Sequence, residues 1–262
     1  MAGGADLTGW RRIAAGFSET AENYAMSMAP SLRTMAVAVV QRAQLRAAER
    51  ILDAGTGTGI GASAALSSGR EVVGVDAAPG MLAIARREVP GARFVEADYA
   101  ALPFPAGSFH VVISVHALHF AEDHTAVLAE WRRVTAAGGR LSLSVPGPRA
   151  ALSTRLYDPI YRRHGLRRRV EVPTRRKLSA WARAAGWRQV RTEADPTTVI
   201  RLAGPDSFDT WMRSGSRSDV NRALSAERFA ALEADLLAAT PIGSDGLLHI
   251  PFGTIYLTAR NP

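Results

Sequence analysis

Residues Ile51-Leu52-Asp53-Ala54-Gly55-Thr56-Gly57-Thr58-Gly59-Ile60-Gly61 constrain this chain more than any other stretch. An apolar run ends in an acid, and glycines follow at every second position. The pattern predicts a short buried strand ending near Asp53, a tight loop, and a helix opening over Ala62–Leu66. Glycine is needed where backbone takes positive φ or passes close to a ligand. The start of the following helix offers unpaired N–H groups and a partial positive charge.

Loops of this kind often receive a dinucleotide pyrophosphate through G-x-G-x-x-G. Counted from Gly55, the third glycine would fall on Ile60; the looser form ending in Ala fits from Gly57 or Gly59. Glycine spacing therefore does not choose the ligand, and Asp53 says more. An acid at the loop mouth repels pyrophosphate and suits a ligand bearing an ammonium or sulfonium charge. S-adenosylmethionine (SAM) carries both, and its carboxylate can face a helix N-terminus. A second apolar strand, Glu71-Val72-Val73-Gly74-Val75-Asp76, ends in an acid 21 positions after Gly55. An acid so placed can accept from both ribose hydroxyls; otherwise it is a helix N-cap.

These two stretches resemble the class I SAM-dependent methyltransferases of the type 11 small-molecule kind, whose fold begins with a strand and [DE]-x-G-x-G-x-G. The resemblance implies a Rossmann-like α/β fold: seven mostly parallel strands, helices on both faces, and helical lid or cap inserts. It implies SAM as cofactor, S-adenosylhomocysteine as product, and contacts from Asp53, Ala54, Gly55, Thr56, Gly57, Asp76, Ala77 and Met81. On the third strand, Arg93 to Tyr99, it implies that Ala97, Asp98 and Tyr99 meet the adenine, and Val115 then backs the adenosine. Phe17, Tyr24 and Arg33 hold places where relatives carry an aromatic and an arginine near the methionine end. A Tyr face suits a sulfonium and an Arg suits a carboxylate; an amphipathic helix packed on the core is the plain alternative. His110 stands where many relatives carry Asp, a departure that leaves its structural role open.

The fourth strand should end around Ser114-Val115-His116-Ala117-Leu118-His119-Phe120, and in open α/β sheets chemistry sits at the carboxyl ends of strands. His116 and His119 are the acid–base and substrate-side candidates, since a neutral imidazole takes a proton near pH 7. Either could instead shape the pocket. Downstream we expect a helix over Thr125–Val134 closed by Gly138-Gly139, a fifth strand Arg140–Val145, a sixth near Arg188–Glu193 and a last one over Ile250–Ala259. One methyltransferase domain is expected: 1–50 a helical lid, 51–146 the SAM half, 147–172 a helical insert, 173–203 helix and strand six, 204–249 a helical cap, 250–262 the last strand. Relatives use such inserts as a substrate lid, so Tyr157, Tyr161, Trp211 and Met212 become acceptor-pocket candidates, with lid packing the alternative.

Composition removes several classes. No cysteine means no disulfide, no thiolate metal site and no cysteine nucleophile. No apolar run reaches a membrane span, and no basic region followed by an apolar core marks a signal peptide, so a cytoplasmic enzyme is expected. The net charge of +8 is almost all arginine, Lys177 being the one lysine. Apart from Arg162-Arg163, Arg167-Arg168-Arg169 and Arg175-Arg176-Lys177 the charges are scattered, without interleaved aromatics for stacking bases. Nucleic acid is therefore a disfavoured partner. No compact acidic or histidine cluster predicts a metal. We expect methyl transfer to O, N or C of a small organic acceptor, such as a natural product or quinone-like ring. An RNA methyltransferase, a non-catalytic SAM-binding protein and a nicotinamide enzyme remain as alternatives.

Overall fold

The computed structural model describes residues 10–66, 70–147, 150–166, 172–215 and 224–262, with side chains from residue 11 and without those of 150–154. Pro148 and the Arg167–Arg169 run lie outside the described residues.

Three helices come first: α1 (Trp10–Glu19), α2 (Ala21–Ser27) and α3 (Ala29–Ala43), the last with Pro30 in its first turn. The last of these stops at Ala43 because Gln44 takes a left-handed φ of +50°. The chain then builds β1 (Arg50–Ala54), α4 (Ile60–Ala65), β2 (Glu71–Asp76), α5 (Pro79–Glu88), β3 (Arg93–Glu96), β4 (Phe109–Val115), α6 (His124–Val134) and β5 (Thr135–Pro146). After α7 (Ala150–Arg163) and α8 (Arg175–Ala184) come β6 (Arg188–Asp195), β7 (Val199–Leu202), α9 (Pro205–Met212), α10 (Ala226–Ala239), β8 (Leu248–Pro251) and β9 (Thr254–Arg260).

Seven strands form one sheet in the order β3-β2-β1-β4-β5-β9-β6. The first five run parallel, and β9 lies antiparallel between β5 and β6. The order reverses between β1 and β4, which opens a crevice at their carboxyl ends. Near-continuous Val/Ile/Leu runs make these strands because both faces are covered. On one face Leu52, Val73, Val112 and Leu141 pack with Trp131 of α6 and Leu178 of α8; on the other Ile51, Val72 and Ile113 meet Ala36 and Val39 of α3 and Leu82 of α5. Two buried indoles tie this layer together: Trp131 Nε1 donates to the Tyr99 carbonyl (3.0 Å) and Trp187 Nε1 to that of Leu128 (2.9 Å).

Two expected boundaries shift, each at glycine. Gly138-Gly139 does not end α6, since Thr135 is already extended and begins β5. The pairing jumps from Phe109↔Thr135 to Val111↔Arg140, so the glycines serve a bulge, with Gly138 at φ +73°. The last strand is two strands: Gly253, at φ +57°, separates β8, which pairs with β7 in a small second sheet, from β9. His110 braces the base of β4, its Nδ1 accepting the Arg50 N–H at 3.0 Å.

A separate core holds the later helices together. Tyr157 and Tyr161 of α7, Phe208, Trp211 and Met212 of α9, and Phe229 and Leu232 of α10 pack with Ile200 and Ile250 of the small sheet and with Leu32 and Met35 of α3.

Candidate functional site

The loop after β1 adopts the backbone its glycines allow. Gly55, Gly57 and Gly59 sit at φ +71°, +54° and +84°. Gly55 also leaves no room for a side chain, since a Cβ there would lie 2.4 Å from Ala117 Cβ. The Gly55 and Thr56 N–H groups both donate to the Val75 carbonyl at 2.9 Å, which ties the loop to β2.

Asp76 completes that tie. Its Oδ2 accepts from Gly57 N–H (2.8 Å) and its Oδ1 from Ala78 N–H (2.9 Å). Burial raises its pKa, and the N–H groups of Ala78, Gly57 and Ala77 oppose the rise. At the tip of β3, Asp98 Oδ1 accepts from Ala100 N–H (2.8 Å), and the Tyr99 ring meets Trp131 edge-on at 6.0 Å.

A cleft with about 770 Å³ of unfilled space, counting its open mouth, lies over these tips. Of the residues expected there, Tyr24, Gly55, Thr56, Gly57, Asp76, Ala77, Met81, Asp98, Tyr99, Val115 and His116 line it together. Its roof is α1 and α2. Phe17 stands edge-on to Tyr24 (5.7 Å) and to Phe120 (5.3 Å), an aromatic wall facing the loop. Ile13, Ala14, Thr58, Ile60, Ala117 and Phe120 also line the cleft without having been singled out. The spacing of Ile13 and Phe17 on one helical face was the legible signal.

Other expected residues lie elsewhere. Asp53 is fully buried beneath the loop, not on the cleft wall. Side chains alternate along a strand, so Asp53 follows Ile51 to the face covered by α3, α4 and α5. There it accepts from Thr56 Oγ1 (2.6 Å) and presses on Gly61, where a Cβ would fall 2.6 Å from Oδ2. Burial raises its pKa to about 6, held down by Thr56 and the Ala62 N–H and raised further by Asp76. Ala54 is buried in the core, and Ala97 spends its N–H on the Asp76 carbonyl (3.0 Å); neither lines the cleft. Arg33 is exposed on the outer side of α3, because Leu32, Met35, Ala36 and Val39 fix that helix's buried stripe. Tyr157, Tyr161, Trp211 and Met212 do not line the cleft either; they are consumed by the cap core, where Tyr157 shares a 2.8 Å hydrogen bond with Thr240.

The two histidines differ from expectation in basicity. His116 is buried on the cleft wall with a left-handed φ of +52°. Burial first, then His119, holds its pKa well below the usual histidine value. His119 does not line the cleft; its ring lies on Phe120 at 3.9 Å, and burial, with His124, lowers its pKa to about 3. Both imidazoles are neutral at pH 7, so neither titrates near neutrality as expected of a tuned base. Among the described residues no group of three His, Asp or Glu could hold a metal ion, and no helix is long and apolar enough to cross a membrane.

The cleft fits an adenosyl cation: acids at adjacent strand tips, a glycine cradle that a Cβ would fill, and an aromatic roof. Comparison with known proteins agrees. Residues 52–143 match the family model described as a methyltransferase domain. The chain is similar to a trans-aconitate 2-methyltransferase of Methylobacterium nodulans, 31% identical over 242 residues, covering 85% of this chain and 90% of that one. A demethylmenaquinone methyltransferase of Thermus thermophilus is 43% identical over 147 residues, half of this chain and 65% of its own length. Among solved structures, a geranyl diphosphate methyltransferase in complex with SAM superposes with TM-score 0.55 at 16% identity, covering 88% of this chain and 85% of that one; at that identity the likeness concerns the fold.

Proposed function

The chain belongs to the class I SAM-dependent methyltransferases, and from that premise we propose that its cleft joins the methyl of SAM to a small organic acceptor held under the roof of α1 and α2. The bound donor supplies a methyl carbon already activated by a sulfonium charge. The protein's own work is alignment and exclusion of water, which is worth about 7–11 kcal/mol at best.

In this reading Asp76 receives the ribose hydroxyls. Its two oxygens already hold Gly57 and Ala78, so the carboxylate is fixed before the ligand arrives. Met81 and Val115 flank the adenosine, and Asp98 with Tyr99 meets the adenine edge. Tyr24 and Phe17 cover the methionine end, the part expected of Phe17, Tyr24 and Arg33; Arg33's exposure speaks against its share. The cap of α7, α9 and α10 closes the acceptor side. Supporting contacts are Gly215, just beyond α9, whose Cβ would fall 2.7 Å from Phe17, and Phe252, whose ring lies 5.0 Å from His116.

The observation that carries the reading is Asp76, held by the glycine loop on the cleft wall. Calorimetry should show micromolar SAM binding that Asp76→Ala abolishes, and mass spectrometry should show S-adenosylhomocysteine formed with members of a metabolite panel. Unchanged SAM binding in the variant removes the assignment.

A further inference from the structure

His116 carries two burdens at once. Its ring is on the cleft wall in a residue only 6% exposed, yet neither Nδ1 nor Nε2 has a hydrogen-bond partner among the described residues. Its backbone also takes φ +52°, which residues bearing a β-carbon seldom adopt. Unsatisfied buried polar atoms and such backbone gather where a ligand completes them. The ring is neutral, offering one donor and one acceptor. The neighbouring wall is aromatic, with Phe17 and Phe120 facing the same space. The charged side chains that line the cleft, among the described residues, are Asp76 and Asp98, which the methyltransferase reading gives to the donor's ribose and adenine, so His116 is left for the acceptor.

An ionised carboxylate only accepts, so it could meet the ring's donor and would leave the acceptor nitrogen without a partner. A hydroxyl, which both donates and accepts, matches the imidazole without charge. We infer that the acceptor side of this cleft takes an uncharged, ring-bearing molecule that presents a hydroxyl to His116. The inference deepens the methyltransferase reading and rests on it. It also separates this chain's acceptor from the polycarboxylate named for its Methylobacterium relative.

The test is a binding measurement. Wild-type protein is first titrated with SAM; failure there removes the methyltransferase reading itself. Protein saturated with S-adenosylhomocysteine is then titrated at pH 7 with 2-naphthol, which is neutral, and with 2-naphthoate, which shares the ring and is ionised. 2-Naphthol should bind at least about 10-fold more tightly, the scale of a matched against a mismatched polar group. His116→Phe, which keeps a ring, should weaken 2-naphthol by about 10-fold. His116→Asn should stay within about threefold, because Asn accepts left-handed backbone and keeps a donor and an acceptor. Equal or tighter naphthoate binding overturns the inference, as does 2-naphthol affinity indifferent to His116→Phe or absent in the wild type. So does a loss confined to SAM, which would give the ring to the donor.

Discussion

Asp53→Asn isolates the one ionisable group that the fold has sealed beneath the glycine loop. The carboxyl is fully buried, and its pKa rises from 3.8 to about 6, chiefly through loss of solvent. The folded value lies above the unfolded one, so folding favours the protonated acid. That contribution is complete below about pH 4 and is lost as pH rises through about 6. A rise of about two units, at about 1.4 kcal/mol per unit, amounts to about 3 kcal/mol. Asparagine keeps an oxygen for the Thr56 hydroxyl, which now donates to Asp53 at 2.6 Å, and carries no charge. The stability of the variant minus that of the wild type should therefore climb by about 3 kcal/mol between pH 4 and 7, then level off. Urea unfolding followed by tryptophan fluorescence, repeated across that range, reads the difference directly. Asp76 shifts in the same direction but is present in both proteins, so it largely cancels. A constant offset, or a difference that falls with pH, would refute the argument. The same charge bears on function, because an ionised Asp53 under the loop attracts a cationic ligand above it. Affinity for SAM should fall about 10-fold from pH 7 to pH 5 in the wild type as Asp53 takes up its proton, and less in the variant.

Gly55→Ala should cost about 2–4 kcal/mol in denaturant unfolding and lose SAM binding in calorimetry, since alanine must both hold φ +71° and displace Ala117. A variant of wild-type stability that binds SAM would count against the loop geometry. His119→Ala should leave the shape of the pH–rate profile between pH 5.5 and 8 unchanged, because a group titrating at about 3 is silent there; a limb near pH 6.5 that vanishes in the variant would restore His119 as a base. Glu49→Ala should destabilise by about 3–5 kcal/mol in the same unfolding assay, because it strands the buried Arg140 guanidinium that Glu49 Oε2 accepts from at 2.7 Å. A loss below about 1 kcal/mol would mean that the carbonyls of Ala43 and Gln44 satisfy Arg140 alone.

What was legible in the sequence followed from local backbone demand. Gly55, Gly57 and Gly59 require left-handed φ, and they announce that requirement at fixed spacing wherever the rest of the chain goes. Asp76 was legible for the same reason, standing at the end of one strand beside the loop of another. The misplaced residues depended on which way an element turns its faces. Two of those faces could have been derived: Ile51 and Asp53 share one side of β1, and Leu32, Met35, Ala36 and Val39 leave Arg33 outside. The cap was beyond reach. Tyr157 meets Thr240 across 83 positions, a pairing that no local pattern states, so aromatic residues that look available for a ligand are spent on one another. The histidines show the deeper limit. They do stand just past the carboxyl end of β4, as expected, but basicity belongs to surroundings rather than to residue type. Burial supplied by elements as distant as Phe252 turns His116 from a candidate base into a neutral partner. What His116 can offer the cleft is thus set by packing, part of it from the turn between β8 and β9, where Phe252 lies 5.0 Å from its ring.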